Sequence, residues 1–136
     1  MRIYIAAPWS FKQGASHAAT QVMKRGYVIT SSWLSELDKD YGKGYYGDTD
    51  WRGIEHEEDL RTHSRRDLDE LFESDILLLL NAASSEGKVI ETGYALGHHI
   101  PIFAVGKPTN AFHYLPEFYW FNSVTEALNG IEEFYG

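Results

Sequence analysis

The chain has no cysteine, which excludes disulfides, thiolate nucleophiles and cysteine-based zinc sites and is neutral on compartment. It also has no long apolar run: the longest, ILLLL at residues 76–80, falls far short of the roughly 20 residues of a membrane span. The amino terminus MRIYIAAPW lacks the apolar core and cleavage pattern of a signal peptide and reads as a strand, so a cytoplasmic protein is expected. Basic residues are scarce, 12 against 20 acidic, giving a formal charge of −8 with no basic cluster longer than a pair such as Arg65-Arg66. A duplex-binding surface needs a basic excess or stripe, so no nucleic-acid polymer is expected as partner. A small anion needs only a few amides and a lysine. Neither an internal repeat nor a low-complexity segment occurs.

What is present suits one domain over residues 1–136, with 43% hydrophobic and 24% charged residues. Residues 2–7 (RIYIAA) read as a buried strand ended by Pro8 and Trp9. A helix over about 13–25 follows, with small and apolar positions Ala15, Ala18, Ala19, Val22 and Met23 and Lys24-Arg25-Gly26 closing it. A strand at 27–32 completes a right-handed βαβ unit. Residues 34–53 break the rhythm with interleaved glycine, tyrosine and tryptophan; they read as an unstructured insertion or as a loop that packs over a flat ring. A charged helix over 54–73 should turn Leu60, Ser64, Leu68, Leu71 and Phe72 to the core. ILLLL, apolar throughout, predicts the central strand of a parallel sheet. A helix at 87–98, a strand at 100–106, a loop from Lys107 to Glu117, a short strand at 119–121 and a helix at 123–134 complete the chain. Strict alternation predicts an α/β fold, a doubly wound (flavodoxin- or Rossmann-like) parallel sheet of about five strands flanked by helices.

Ligands of such sheets bind beyond the carboxyl ends of the strands. Ala6–Ser10, Thr30–Trp33 and Asn81–Gly87 arrive there. The third opens a helix carrying Glu91, where a helix dipole would favour the carboxylate anion by about 0.3–1 kcal/mol, suiting a nucleophile better than a proton donor. Small residues at 87, 93, 95 and 97 should leave space around it. The alternative is a glutamate that only complements the dipole. Asp67 is a second candidate carboxylate, although Asp67, Asp69 and Glu70 together also fit a solvated face. Asp75 reads as a residue that caps or turns the backbone. Tyr4 reads as core or as a hydrogen-bond donor to the site. Ser85 reads as an N-cap.

The pattern IYIAAPW, then DL-x6-D before an apolar strand, then S-x-G-x-x-x-E-x-G-x-A resembles the nucleoside 2-deoxyribosyltransferase superfamily. That group includes base-exchanging transferases and related nucleoside 5′-monophosphate N-glycosidases. The resemblance runs from residue 3 to about 106. It implies that Glu91 is the nucleophile that attacks the anomeric carbon, that Asp67 protonates the departing base, and that the Tyr4 hydroxyl holds the nucleophile. It further implies that Ser85, six residues before Glu91, contacts a 5′-phosphate, because free-nucleoside transferases carry an aspartate there. Gly87 and Lys88 would add positive potential at that helix start.

Ala7, Pro8 and Trp9 would line the substrate. In that segment the phosphate-binding serine and arginine of deoxynucleotide hydrolases are missing, and Trp9 is instead similar to a base-stacking aromatic of the transferases; Lys12 could replace the arginine. The resemblance implies a small-molecule nucleoside or nucleotide partner and a homodimer or higher homo-oligomer with shared active sites, the loop Asn110–Tyr114 reaching the neighbour. Its first implication is base release from a monophosphate. Its alternatives are base exchange on free deoxynucleosides, or a nucleotide sensor without catalysis.

No metal, membrane contact or redox cofactor is expected. His56 and His63 sit on a charged helix, and His98-His99 ends one. DKDYGKGYYGD lacks the glycine and glutamate of a calcium loop, and GKPT is too short for a P-loop.

Overall fold

Five strands, β1 (Arg2–Ala6), β2 (Val28–Ile29), β3 (Ile76–Asn81), β4 (Ile102–Gly106) and β5 (Phe118–Phe121), form one parallel sheet in the order β2-β1-β3-β4-β5. The coordinates are a computed structural model that describes residues 1–36 and 57–135. β3 is central, as its composition predicts, with Ile76 to Leu80 all buried. Tyr4 pairs in register with Leu77 on one side of that strand, and Leu77 with Ile102 on the other. Among the described residues four helices flank the sheet: α1 (Lys12–Lys24), α2 (Glu57–Phe72), α3 (Glu86–Gly97) and α4 (Val124–Tyr135). α1 packs with α4 and α2 with α3, the pairing that right-handed crossovers produce around a sheet whose order reverses between β1 and β3. Among the described residues no helix is long and apolar enough to cross a membrane.

The helices seat through small residues. Ala15, Ala18, Ala19 and Val22 form the buried stripe of α1, and Arg25 ties that helix to α4 through Glu132 (2.8 Å) and Asn129 (2.9 Å). Gly26, at φ +84°, ends α1 in a left-handed turn closed by Gly26 N–H to Met23 O and Tyr27 N–H to Val22 O. The end of α3 has the same geometry with a different residue: His99 sits at φ +58° while Ile100 N–H reaches Ala95 O.

Several expectations need correction. β2 holds only Val28–Ile29, not 27–32, because side chains replace its ladder. Ser31 Oγ accepts the Ile5 N–H at 3.0 Å and the Trp33 indole donates to Ile5 O at 2.9 Å, so the backbone leaves β1 and enters a 3-10 turn at Ser32–Glu36. On α2, Leu71 is fully buried but Ser64 is exposed, and Phe72 is 60% exposed, set edge-on to His98. One residue beyond Leu71 is a rotation of about 100° around the helix, which carries Phe72 off the inward face. The glycine- and tyrosine-rich stretch predicted at 34–53 falls outside the described residues from 37 onward, as do the start of the predicted charged helix and His56.

Candidate active site

Tyr4 lies on β1 with no exposed surface, and its hydroxyl makes a short hydrogen bond to Glu91 Oε2 on α3. Burial pushes the Tyr4 hydroxyl well above its usual range, and the charges of Glu91 and Asp67 push the same way. It is therefore a neutral donor at any ordinary pH. The ring is core, and the hydroxyl donates to Glu91.

Glu91 is part-buried, and its carboxyl is pushed up to about 8. Burial is the main cause; the hydrogen bond from Tyr4 pulls it down, and the charge of Asp67 pushes it up again. This corrects the expectation of a dipole-stabilised anion. Ser85 is the N-cap and Glu86 the first helical residue, which makes Glu91 the sixth, beyond the single turn over which the dipole acts. The expected open space is corrected too. Gly93 and Gly97 are exposed on the outer side of α3, Ala95 is fully buried beneath it, and only Gly87 stands near the crevice residue Ser85.

Asp67 is not on a solvated face. The inward stripe of α2 runs through Leu60, His63, Asp67, Glu70 and Leu71, and the side chain of Asp67 is 19% exposed. Arg66 Nη2 pairs with Asp67 Oδ1 at 3.2 Å. Asp67 acts electrostatically on both Tyr4 and Glu91, so the three predicted residues meet in one place. Glu70 belongs there as well: its Oε1 accepts Ser32 N–H at 3.1 Å, and its charge bears on Tyr4. Spacing alone could have found it, since Glu70 stands three residues after Asp67 beside the buried Leu71. Asp75 has the structural role expected, accepting Arg2 N–H at 2.7 Å.

The β3–α3 loop supplies the rest. Ser85, in extended backbone, caps α3 by accepting Lys88 N–H at 3.3 Å. That bond occupies a lone pair of the hydroxyl and leaves its proton free to donate. The Gly87 residue is exposed at the helix start. Lys88 was expected to face the same anion seat. It is 5% exposed instead, with Nζ donating at 2.5 Å to both Asn81 Oδ1 and Ala83 O, and burial pulls its ammonium below the usual lysine range. A long side chain that finds two carbonyl acceptors inside the loop has little reason to turn outward.

After β1, Ala7 is half-buried and Pro8 buried, and Pro8 O receives Phe11 N–H to start a short 3-10 turn. Trp9 packs at a tilt on Trp33, ring centres 6.2 Å apart, and Lys12 Nζ stands 5.1 Å from the Trp9 ring centre. Lys12 thus has the Trp9 ring as a cation–π partner. The Asn110–Tyr114 segment is a 3-10 turn (Ala111–Tyr114) that leaves Phe112 and Tyr114 strongly exposed. Among the described residues no group of three or more histidine, aspartate or glutamate side chains is placed to hold a metal ion.

No protein-family model matches the sequence, and the comparison with curated proteins finds no match. Solved structures do match. One is a 2-deoxyribosyltransferase from the psychrotolerant bacterium Bacillus psychrosaccharolyticus, at TM-score 0.64 and 15% identity, covering 95% of this chain and 91% of that one. Another is a Clostridium botulinum CMP N-glycosidase, at TM-score 0.57 and 15% identity, covering 98% and 99%. At this identity the likeness shows a common fold.

Proposed function

We propose that this protein cleaves the N-glycosidic bond of a nucleoside 5′-monophosphate or nucleoside, releasing the base by way of a glycosyl ester on Glu91, and that residues 1–136 form one such catalytic domain. The observation that carries this reading is the Tyr4 hydroxyl of β1 bound to Glu91 of α3, within reach of the charge of Asp67 on α2. A buried tyrosine that donates to a part-buried carboxyl, with a second carboxylate beside it, is the apparatus of a two-step displacement.

In the empty site at neutral pH the proton resides mainly on Glu91, whose carboxyl is pushed up to about 8. Substrate binding moves it to Asp67; the Glu91 carboxylate then attacks C1′ while the C1′–N bond breaks and Asp67 hands the proton to the departing base. Water hydrolyses the ester, its proton returning to Asp67. Tyr4 holds Glu91 Oε2 on line throughout. The Ser85 hydroxyl donates to the 5′-phosphate, and Trp9 stacks on the base. A base in place of water as acceptor is the alternative, and the aromatic Trp9 after β1 favours it. The loop Asn110–Tyr114 reaches the site of a neighbouring copy in a homo-oligomer.

Chromatography of free base from a panel of nucleosides and 5′-monophosphates, each with and without a second base, tests the proposal. Release from monophosphates without an acceptor is expected. Transfer to the added base from free nucleosides only would make the protein a transferase, and absence of release from every substrate would overturn the catalytic reading in favour of a nucleotide sensor.

A further inference from the structure

Among the described residues, two buried ionisable groups take no part in the proposed steps, Lys88 and His113, each 5% exposed. They lie on one polar chain. Lys88 Nζ holds Asn81 Oδ1 and Ala83 O, both at 2.5 Å. Asn81 Nδ2, its other end, donates to Lys107 O at 2.7 Å and Thr109 Oγ1 at 3.2 Å. Thr109 N–H in turn reaches His113 Nδ1 at 3.0 Å, and His113 O accepts the Trp120 indole N–H at 2.9 Å. Nδ1 can accept only when unprotonated, and burial, with the charge of Lys88 adding to it, pulls His113 below its usual range.

The backbone is drawn together at the same place. Gly106 has φ +119°, and a side chain there would stand 3.1 Å from Asn81 O. The chain therefore connects the β3–α3 loop, with Ser85 and the start of the Glu91 helix, to the β4–β5 loop, with the exposed Phe112 and Tyr114. Lys88 is also one turn before Glu91, and its carbonyl accepts the buried Thr92 hydroxyl at 2.7 Å.

We propose that Lys88 is a positioning residue: with Asn81 it forms a buried brace that locks the Asn81–Ser85 loop to the Lys107–His113 loop, so that the two rims of the crevice hold one arrangement together. A buried polar chain is suited to this because each member is satisfied only when the others are in place. Removing the ammonium leaves Asn81 Oδ1 and Ala83 O without their donor, which loosens the loops while the strands beneath stay packed.

The test compares the full-length protein with Lys88→Met and Asn81→Asp by amide hydrogen exchange without ligand. In Lys88→Met, exchange at Thr109 and His113 should rise by about 10-fold or more, with β3 and β4 amides unchanged. Unchanged exchange at those two amides overturns the brace, and so does a uniform rise across the whole chain, which would mark a merely structural lysine. If Lys88→Met does not fold, Asn81→Asp decides. Its carboxylate still accepts from Lys88 but cannot donate to Lys107 O, so the same two amides should be released while the Lys88 amide stays protected; no release overturns the proposal.

One readout rests on the base-release reading. On whichever substrate the wild type cleaves, Lys88→Met should raise KM by about 10-fold with kcat nearly unchanged, since uniform binding is what a displaced rim removes. Absence of base release by the wild type would sink the functional reading while leaving the exchange result to judge the brace alone.

Discussion

Along β4 and β5 the ring of Phe103, with no exposed surface, stacks on Tyr119 at 5.0 Å and on Phe121 at 5.9 Å, with Phe134 edge-on at 5.9 Å. Two strands away, β1 presents Tyr4 to a part-buried glutamate and the charge of an aspartate. Both regions use buried aromatic rings on the same sheet. In the first, burial, packing and ring geometry all favour the folded state. In the second, burial works against the ionised form of Glu91, and the hydrogen bond from Tyr4 offsets it only in part. Local conflicts of this kind concentrate at functional sites.

The contrast can be broken most directly at Glu91. Glu91→Gln keeps the shape and an acceptor for Tyr4 but removes the nucleophile, and base release should fall by about 10³-fold or more in a single-turnover assay. Stability should move the other way. The folded protein binds a proton on Glu91 up to about pH 8, where the unfolded chain has released it above its ordinary value of 4.5. Wild-type stability therefore declines relative to the variant as pH rises between those values. Denaturant melts should show the two alike near pH 4 and Glu91→Gln the more stable by roughly 3–5 kcal/mol above pH 8. A wild-type rate in the variant would remove Glu91 from the mechanism.

Phe103→Ala is the counterpart in the aromatic half. Here a loss of about 3–5 kcal/mol is expected, unchanged across the range in which Glu91 titrates, because the lost contacts are ring packing and no carboxylate takes part. A pH-dependent loss in urea titrations would show that the two halves are not independent.

Tyr4→Phe sharpens the comparison by leaving the packing and deleting one hydroxyl. The hydrogen bond it removes is the one influence that lowers the Glu91 value, so that value should rise. The basic limb of kcat/KM, which marks loss of the proton that Glu91 holds in the free protein and passes to Asp67, should move to higher pH, and the costlier transfer should lower the rate by about 10–100-fold at neutral pH. An unmoved limb would make Tyr4 a core residue and nothing more.

The sheet was readable from the residues because each strand carried its own signal: the unbroken ILLLL predicts a strand covered on both faces, and β3 is that strand. The meeting of Tyr4, Asp67 and Glu91 was carried by motif resemblance, since nothing local joins residues 63 and 24 positions apart. What escaped depended on direction in space. Lys88 turns inward because Asn81 and Ala83 O happen to wait there, and Glu91 is governed by burial rather than by the helix start. β2 stops after two residues because the Ser31 and Trp33 side chains take over its partners, a substitution that no strand propensity records.

The smallest effect concerns the two helix ends that share one geometry. Gly26 and His99 both occupy the left-handed position after a helix, at φ +84° and +58°. A side chain at Gly26 would meet nothing within 4 Å, so only the backbone angle favours glycine there. Gly26→Ala should therefore destabilise by about 1 kcal/mol, the ordinary penalty of a left-handed residue with a Cβ. His99 already bears that penalty, in an exposed position. His99→Gly relieves it but also frees the unfolded chain, which takes back part of the gain. The net stabilisation should be about 0.5 kcal/mol, measured as a shift in denaturation midpoint at unchanged slope. A loss instead would mean that the His99 side chain has a task at the end of α3, next to the His98 ring that Tyr94 and Phe72 enclose.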